Sequence, residues 1–277
     1  MILTSENYFS PEVNWDYYSV SQIKQFMACE AAAMAELNGE WLREKTQALL
    51  VGSYIDAHFS RELDLFRAKN PEIYTRSGSL RAEYQQAEEI IARIERDALA
   101  MRMLDGDCQK IVTGEIGGYL FKAKLDCWLE GSTAQSIAHD YPDMDSLLFA
   151  GGAIVDMKIM RDFKPLYRDG EGRQNFIEYW KYDLQMAVYQ EMMRQQTGEK
   201  HPCYILAASK EKTPDIGLFE VPQALMDANM EILLEALPRI DEVKNGGADV
   251  EPERCGECEW CRQSKVLTCA TWLEDWA

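Results

Sequence analysis

The hydrophobic positions change their period along the chain. Near the N-terminus Ile23, Phe26, Met27 and Ala31 recur at helical spacing and predict a helix as far as Leu37, entered at Ser19 and Ser21, where a serine cap is available. Leu50, Tyr54, Ala57 and His58 mark a second helix over residues 48–66, and Ile90, Ile91 and Ile94 a third over 80–104. Residues 70–78, with Pro71, form a loop between them. From residue 110 the texture shifts to short β-branched and aromatic runs, predicting strands at 110–117, 119–130 and 153–159. Gly117-Gly118 suits the turn of a hairpin. Helical spacing returns at 176–195, strands follow at 203–209 and 216–221, and a long helix covers 223–243. This order predicts an α/β fold, a mixed sheet flanked by helices, in one domain over residues 1–250. Residues 251–277 are expected to form a cysteine-rich tail appended to that domain.

Composition adds three constraints. With 277 residues, 47% hydrophobic and 27% charged, the chain can bury a core without staples. No apolar run approaches the ~20 residues of a membrane span, and the start carries no basic region followed by an apolar stretch. A soluble cytoplasmic protein with no membrane partner is the expectation. The net charge of -18 disfavours casual binding to nucleic acid. Residues 155–215, however, carry ten basic and ten acidic side chains, so this segment is the least hostile to phosphate. Arg161, Lys164, Arg168 and Arg173 fall there on an expected loop, each a candidate phosphate contact.

The eight cysteines divide into two kinds. Cys108, Cys127 and Cys203 lie among apolar residues and read as small core side chains. Cys255, Cys258, Cys261 and Cys269 crowd the C-terminus, and Cys29 stands alone. In a cytoplasmic chain of this length the cluster reads as metal or cluster ligation rather than disulfides. The tail has few aliphatic residues, although Trp260, Trp272 and Trp276 are available to pack.

Three segments carry the candidate chemistry. One predicted strand holds Asp126. Thirty residues on, another carries Asp156 and Lys158, which are two apart and so share a face. If the strands are neighbours, Asp126 joins them. Two carboxylates suit Mg²⁺ or Mn²⁺, and a bound ion activates water for attack on a phosphodiester. The ammonium of Lys158 can orient that water and offset developing charge. Gln185 and Tyr189, four apart on a helix, can present an amide and a phenol to the same place.

In order and spacing, Asp126, Asp156-Met157-Lys158 and Gln185-Met186-Ala187-Val188-Tyr189 resemble the PD-(D/E)xK nuclease superfamily in its RecB-like branch. Among its groups the chain is most similar to the phage and prophage exonucleases related to exonuclease VIII (RecE-like), over roughly residues 17–270. Several expectations follow from the resemblance. Asp56 in Gly52-Ser53-Tyr54-Ile55-Asp56 falls where that branch has a metal-binding histidine, with His58 two residues on. Glu115 in Thr113-Gly114-Glu115-Ile116 corresponds to a glutamate near the metal. Relatives such as AddB and a CRISPR-associated group join one early cysteine to three late ones around a [4Fe-4S] cluster, which here implies Cys29, Cys255, Cys258 and Cys261. The late spacing differs from theirs, which brings in Cys269 as a replacement ligand, and zinc within the tail is the alternative. The implied activity is metal-dependent DNA exonuclease action on duplex ends for phage-type recombination. The implied partners are DNA and a single-strand annealing protein, with a homo-oligomer as a further expectation. A non-catalytic DNA-binding or assembly module on the same fold, and an endonuclease or flap nuclease in defence or repair, are the alternatives.

Overall fold

The computed structural model describes residues 2–43, 46–168, 170–267 and 269–270. Trp272 and Trp276 lie outside the described residues. Along the chain come α1 (Pro11–Asp16), α2 (Val20–Ala28), α3 (Glu30–Leu37), α4 (Gln47–Phe59), α5 (Leu63–Lys69), α6 (Ala82–Glu95) and α7 (Ala98–Met103). Strands β1 (Asp107–Ile116) and β2 (Tyr119–Glu130) follow, then α8 (Gly131–Asp140), β3 (Gly152–Met160), β4 (Leu166–Arg168) and β5 (Gly172–Gln174). The remainder is α9 (Phe176–Tyr179), α10 (Tyr182–Thr197), β6 (Cys203–Ser209), β7 (Ile216–Glu220), α11 (Gln223–Asn245) and α12 (Glu259–Gln263). Two compact units result, one of residues 1–20 and 44–234, the other of 21–43 and 235–277. No helix among the described residues is long and apolar enough to cross a membrane.

In the first unit a five-stranded sheet has the order β1-β2-β3-β6-β7. All neighbours are antiparallel except β3 and β6, whose parallel pairing requires a crossover. That crossover contains α10. The β1–β2 turn is the expected one: Gly117 and Gly118 both have positive φ, and Ile116 pairs with Tyr119 across them. Side-chain alternation sorts the two faces. Cys127, Leu129, Ala153, Val155, Met157, Tyr204, Leu206 and Ala208 join the main core with residues of α4, α6, α7 and α8. The other face meets α10, which packs on β1, β2 and β3. Strand β3 is buried almost throughout, as a central strand covered by helices on both sides must be.

Several predicted helices are broken by local chemistry. The helix expected over 48–66 stops at Phe59, because Arg61 adopts a left-handed conformation (φ +64°) before α5 begins. The helix expected over 80–104 divides where the Asp97 carboxylate accepts from Ala100 N–H (2.9 Å) and starts α7 afresh. At Cys29 the backbone is extended, which separates α2 from α3. The expected loop after β3 contains the β4–β5 hairpin.

The second unit holds the paired ends of its own segments. Arg239 makes a two-pronged contact with Glu30 (3.0 and 2.8 Å), and Ala31 N–H donates to the Glu253 carbonyl (3.0 Å). Such a fork fixes geometry as well as charge. Trp41 and Trp260 face each other at 6.2 Å.

Candidate active site

The site forms where β2 and β3 part. Their ladder runs from Glu130↔Gly152 to Cys127↔Val155. The next position sets Asp126 opposite Asp156, and there the Asp126 carboxylate takes the place of a backbone acceptor, receiving Met157 N–H at 2.9 Å. The sheet register thus places two acids against each other. Asp156 is 1% exposed. Its Oδ1 accepts from Gln185 Nε2 (2.7 Å) on α10, and that amide also donates to the Tyr189 hydroxyl (3.1 Å). Its Oδ2 makes no hydrogen bond and meets only the Lys158 ammonium. Lys158, two residues on along β3, lies over the Tyr182 ring at 4.9 Å from the centroid.

Burial, and then the neighbouring Asp156, hold the Asp126 carboxyl well above the usual carboxylate range. Burial alone would lower Lys158, but the Asp156 and Asp126 charges more than offset it, so its ammonium is held more firmly than in water. Tyr189 is pushed up by burial and then by Asp156, so its phenol stays protonated. A buried acid and a half-buried one sharing one ammonium are a poor way to stabilise a fold. Such perturbed groups mark functional sites.

Asp56 reaches this cluster from α4. Its Oδ1 accepts from Gln109 Nε2 (3.1 Å), and burial raises its pKa while Lys124 and Lys158 offset part of the rise. His58 instead contacts Glu95 (2.9 Å). Gln109 was not foreseen. It occupies the β1 position opposite Asp126 with φ +55°, and nothing in Cys108-Gln109-Lys110 announces a left-handed glutamine. Tyr182 also lacked a signal, since one more aromatic residue at a helix start reads as core.

Glu115 is a correction. It lies on β1 opposite Leu120, exposed, with its backbone bonded to the Gln195 side chain. Six positions along the strand separate it from Gln109, roughly 20 Å at strand rise. The β1–β2 pairing fixes that distance, so Glu115 stands away from Asp126 and Asp156.

The donor set fits a divalent cation. The buried Asp156 Oδ2 has the Lys158 ammonium as its partner, and the Asp126 and Asp56 carboxyls near it add further hard oxygen donors. Mg²⁺ commonly takes one or two carboxylates and fills its other positions with water and substrate oxygens.

A separate centre lies in the second unit. The sulfurs of Cys29, Cys255, Cys258 and Cys261 all lie within 4.8 Å of one another, the one such cluster of metal-ligating side chains among the described residues. Cys29 and Cys261 are 3.6 Å apart. Gly256, at φ +76°, turns the Cys255–Cys258 loop so that Cys258 N–H donates to the Cys255 sulfur (3.3 Å), and Cys261 N–H donates to the Cys258 sulfur (3.4 Å). Burial would raise the Cys255 thiol, but the backbone N–H groups of Cys258 and Glu257 bring it down to about 7. They stabilise the thiolate that metal binding needs. Cys269 is exposed and outside the group; Cys127 and Cys203 are buried and Cys108 half-buried.

A mixed sheet that presents an acid on one central strand and Asp-x-Lys on the next, backed by a helix with Gln and Tyr four apart, is the PD-(D/E)xK architecture. The chain belongs to the family described as a PDDEXK-like domain of unknown function (DUF3799), whose model matches residues 19–134 and 142–264. It is also similar to a crystal structure from Eubacterium rectale described as a "putative exonuclease". The two are 42% identical with a TM-score of 0.89, over 100% of this chain and 98% of that one. No curated protein matches the chain.

Proposed function

We propose that the protein is a Mg²⁺- or Mn²⁺-dependent deoxyribonuclease that hydrolyses phosphodiester bonds from duplex ends. The observation that carries this reading is the opposition of Asp126 and Asp156 at the parting of β2 and β3, with Lys158 on the same face. Family membership and the description of the Eubacterium rectale structure support it. Asp126 and Asp156 would hold the ion, with Asp56 beside them. When bound, it supplies a lowered water pKa and charge for the attacked phosphate. The chain's own groups do the rest. Gln185 holds Asp156 Oδ1 and so fixes the direction in which Oδ2 points. Lys158, kept as an ammonium by its acid neighbours, is a poor base at neutral pH. Its role is to orient the attacking water and to offset negative charge on the phosphoryl oxygens as the water oxygen bonds to phosphorus and the P–O bond to the leaving sugar breaks.

Action in recombination beside a single-strand annealing protein, and assembly into a homo-oligomer, follow from the RecE-like resemblance. The test is digestion of end-labelled linear and covalently closed circular duplexes in Mg²⁺. Loss of label from the linear form, with the circle intact, supports exonuclease action. Relaxation or linearisation of the circle refutes it in favour of endonuclease action.

The four thiolates would hold a second, structural metal centre. The resemblance favours a [4Fe-4S] cluster. Their spacing favours a single zinc ion, because four sulfurs at about 2.3 Å from one tetrahedral ion lie about 3.8 Å apart, whereas a cluster gives each sulfur its own iron. Iron, sulfide and zinc assays on anaerobically purified protein decide between them.

A further inference from the structure

Gln109 adopts the left-handed conformation (φ +55°) inside β1, away from any turn. No change of direction requires it. The strands β1 and β2 keep one register on either side, with Cys108↔Cys127 and Lys110↔Leu125, and only the step opposite Asp126 goes unpaired. Glycine and asparagine take this backbone at least cost. A glutamine there is strained, and strain of this kind persists where the position serves a site. What glutamine adds to asparagine is one methylene of reach.

That reach ends on Asp56 of α4. Gln109 Nε2 donates to its Oδ1 at 3.1 Å, the one side-chain hydrogen bond to that carboxylate among the described residues. Asp56, Gln109 and Lys124 together line a cleft of about 200 Å³ bounded by α4, α5, β1 and β2. Charges around Asp56 compete for it. Lys124 and Lys158 attract the carboxylate, while Asp156 and Glu62 repel it. An ammonium that captured Asp56 would cancel the charge that a cation needs. A neutral amide instead fixes one oxygen, keeps the charge, and leaves the other oxygen for an ion.

We propose that Gln109 is a positioning residue for the metal. It holds the Asp56 carboxylate where the ion at Asp126 and Asp156 meets it, and the left-handed backbone is what brings the amide there. This deepens the nuclease reading and rests on it for the purpose of the ion. Gln109 itself acts only through Asp56.

The experiment titrates the DNA-free full chain with Mn²⁺, following the free hydrated ion by electron paramagnetic resonance, alongside thermal unfolding in EDTA. Mn²⁺ prefers carboxylate oxygens to thiolates, so the four cysteines do not mask the site. Gln109→Gly suits the backbone and deletes the amide. Gln109→Asn suits it equally and carries an amide too short to reach Asp56. Each should weaken Mn²⁺ binding by about tenfold or more, with a Tm in EDTA within ~3 °C of the wild type's or above it. In an Asp56→Ala background, Gln109→Gly should weaken binding no further, because the amide then has nothing to hold. Wild-type Mn²⁺ affinity in either variant, a loss that recurs in full without Asp56, or a Tm that falls in step with affinity overturns the positioning role. A wild type that shows this Gln109-dependent binding yet hydrolyses no DNA in Mn²⁺ overturns the nuclease reading alone.

Discussion

Replacing Lys158 with methionine keeps most of the side-chain volume and removes the charge. Asp156 is 1% exposed, and its Oδ2 has no neighbour to turn to but that ammonium. Gln185 still holds Oδ1, so one half of the carboxylate stays satisfied. Removing one partner of a buried pair typically costs about 3–5 kcal/mol, and the retained amide places this case near about 3 kcal/mol. For a unit of this size that is a drop of roughly 6–12 °C in Tm. The loss should be largest in EDTA. A divalent ion at a hundredfold over its Kd returns about 2.7 kcal/mol to any form that binds it, and Lys158→Met leaves the acids unopposed and open to the ion. The assay is thermal unfolding of both proteins in EDTA and in Mg²⁺, with turnover and DNA affinity measured in parallel. Turnover should fall by about 10²–10³ with affinity changed only a few-fold. A Lys158→Met protein that melts within ~2 °C of the parent in EDTA would refute the claim that Asp156 depends on this ammonium. One that binds DNA poorly but turns over bound DNA normally would make Lys158 a phosphate anchor.

Three further outcomes are expected. Glu115→Ala should leave Mg²⁺-dependent turnover unchanged while Asp56→Ala lowers it; the reverse result in a turnover assay would contradict the placement of β1. Lys122 is buried, its ammonium held by the Tyr8 carbonyl and by Asn14 Oδ1 (2.6 Å), and burial lowers its pKa to about 8. Between about pH 8 and about pH 10 the unfolded chain then binds a proton that the folded chain does not. This residue's contribution to stability therefore rises with pH across that window, and Lys122→Met should flatten the rise in denaturant titrations; parallel pH profiles for the two proteins would sink the assignment. Cys29→Ser and Cys258→Ser should each lose metal and thermal stability together, since a bound centre closes a loop of more than two hundred residues, while Cys108→Ser keeps its metal; full metal content in Cys29→Ser would confine the centre to the tail.

The strands were legible because their signals are local. Gly117 and Gly118 take the positive φ values that a two-residue turn needs, and the period-two placement of Asp156 and Lys158 survives as a shared face. That Asp126 stands opposite Asp156 was conditional on the two strands being neighbours, and the register supplies it. Interruptions of helices were less legible. The apolar stripe continues through Arg61, and only the backbone there departs from the helix. Gln109 depends on the same kind of unannounced left-handed residue. Glu115 was drawn to the site by likeness to a motif, and the register of β1 against β2 carries it away. Cys29 is the opposite case: no local pattern links it to residues 255–261, and it was found only because similar chains pair an early cysteine with three late ones.

The central claim is that Asp126 and Asp156 support metal-dependent hydrolysis. Its most direct measurement is release of end label from a linear duplex by the metal-stripped protein, with Mg²⁺ or Mn²⁺ added back, alongside Asp126→Ala and Asp156→Ala variants shown to be folded. The account predicts no release in EDTA, release by the wild type on addition of either ion, and none by either variant at any metal concentration. Undiminished release in EDTA, or by either alanine variant, would contradict it.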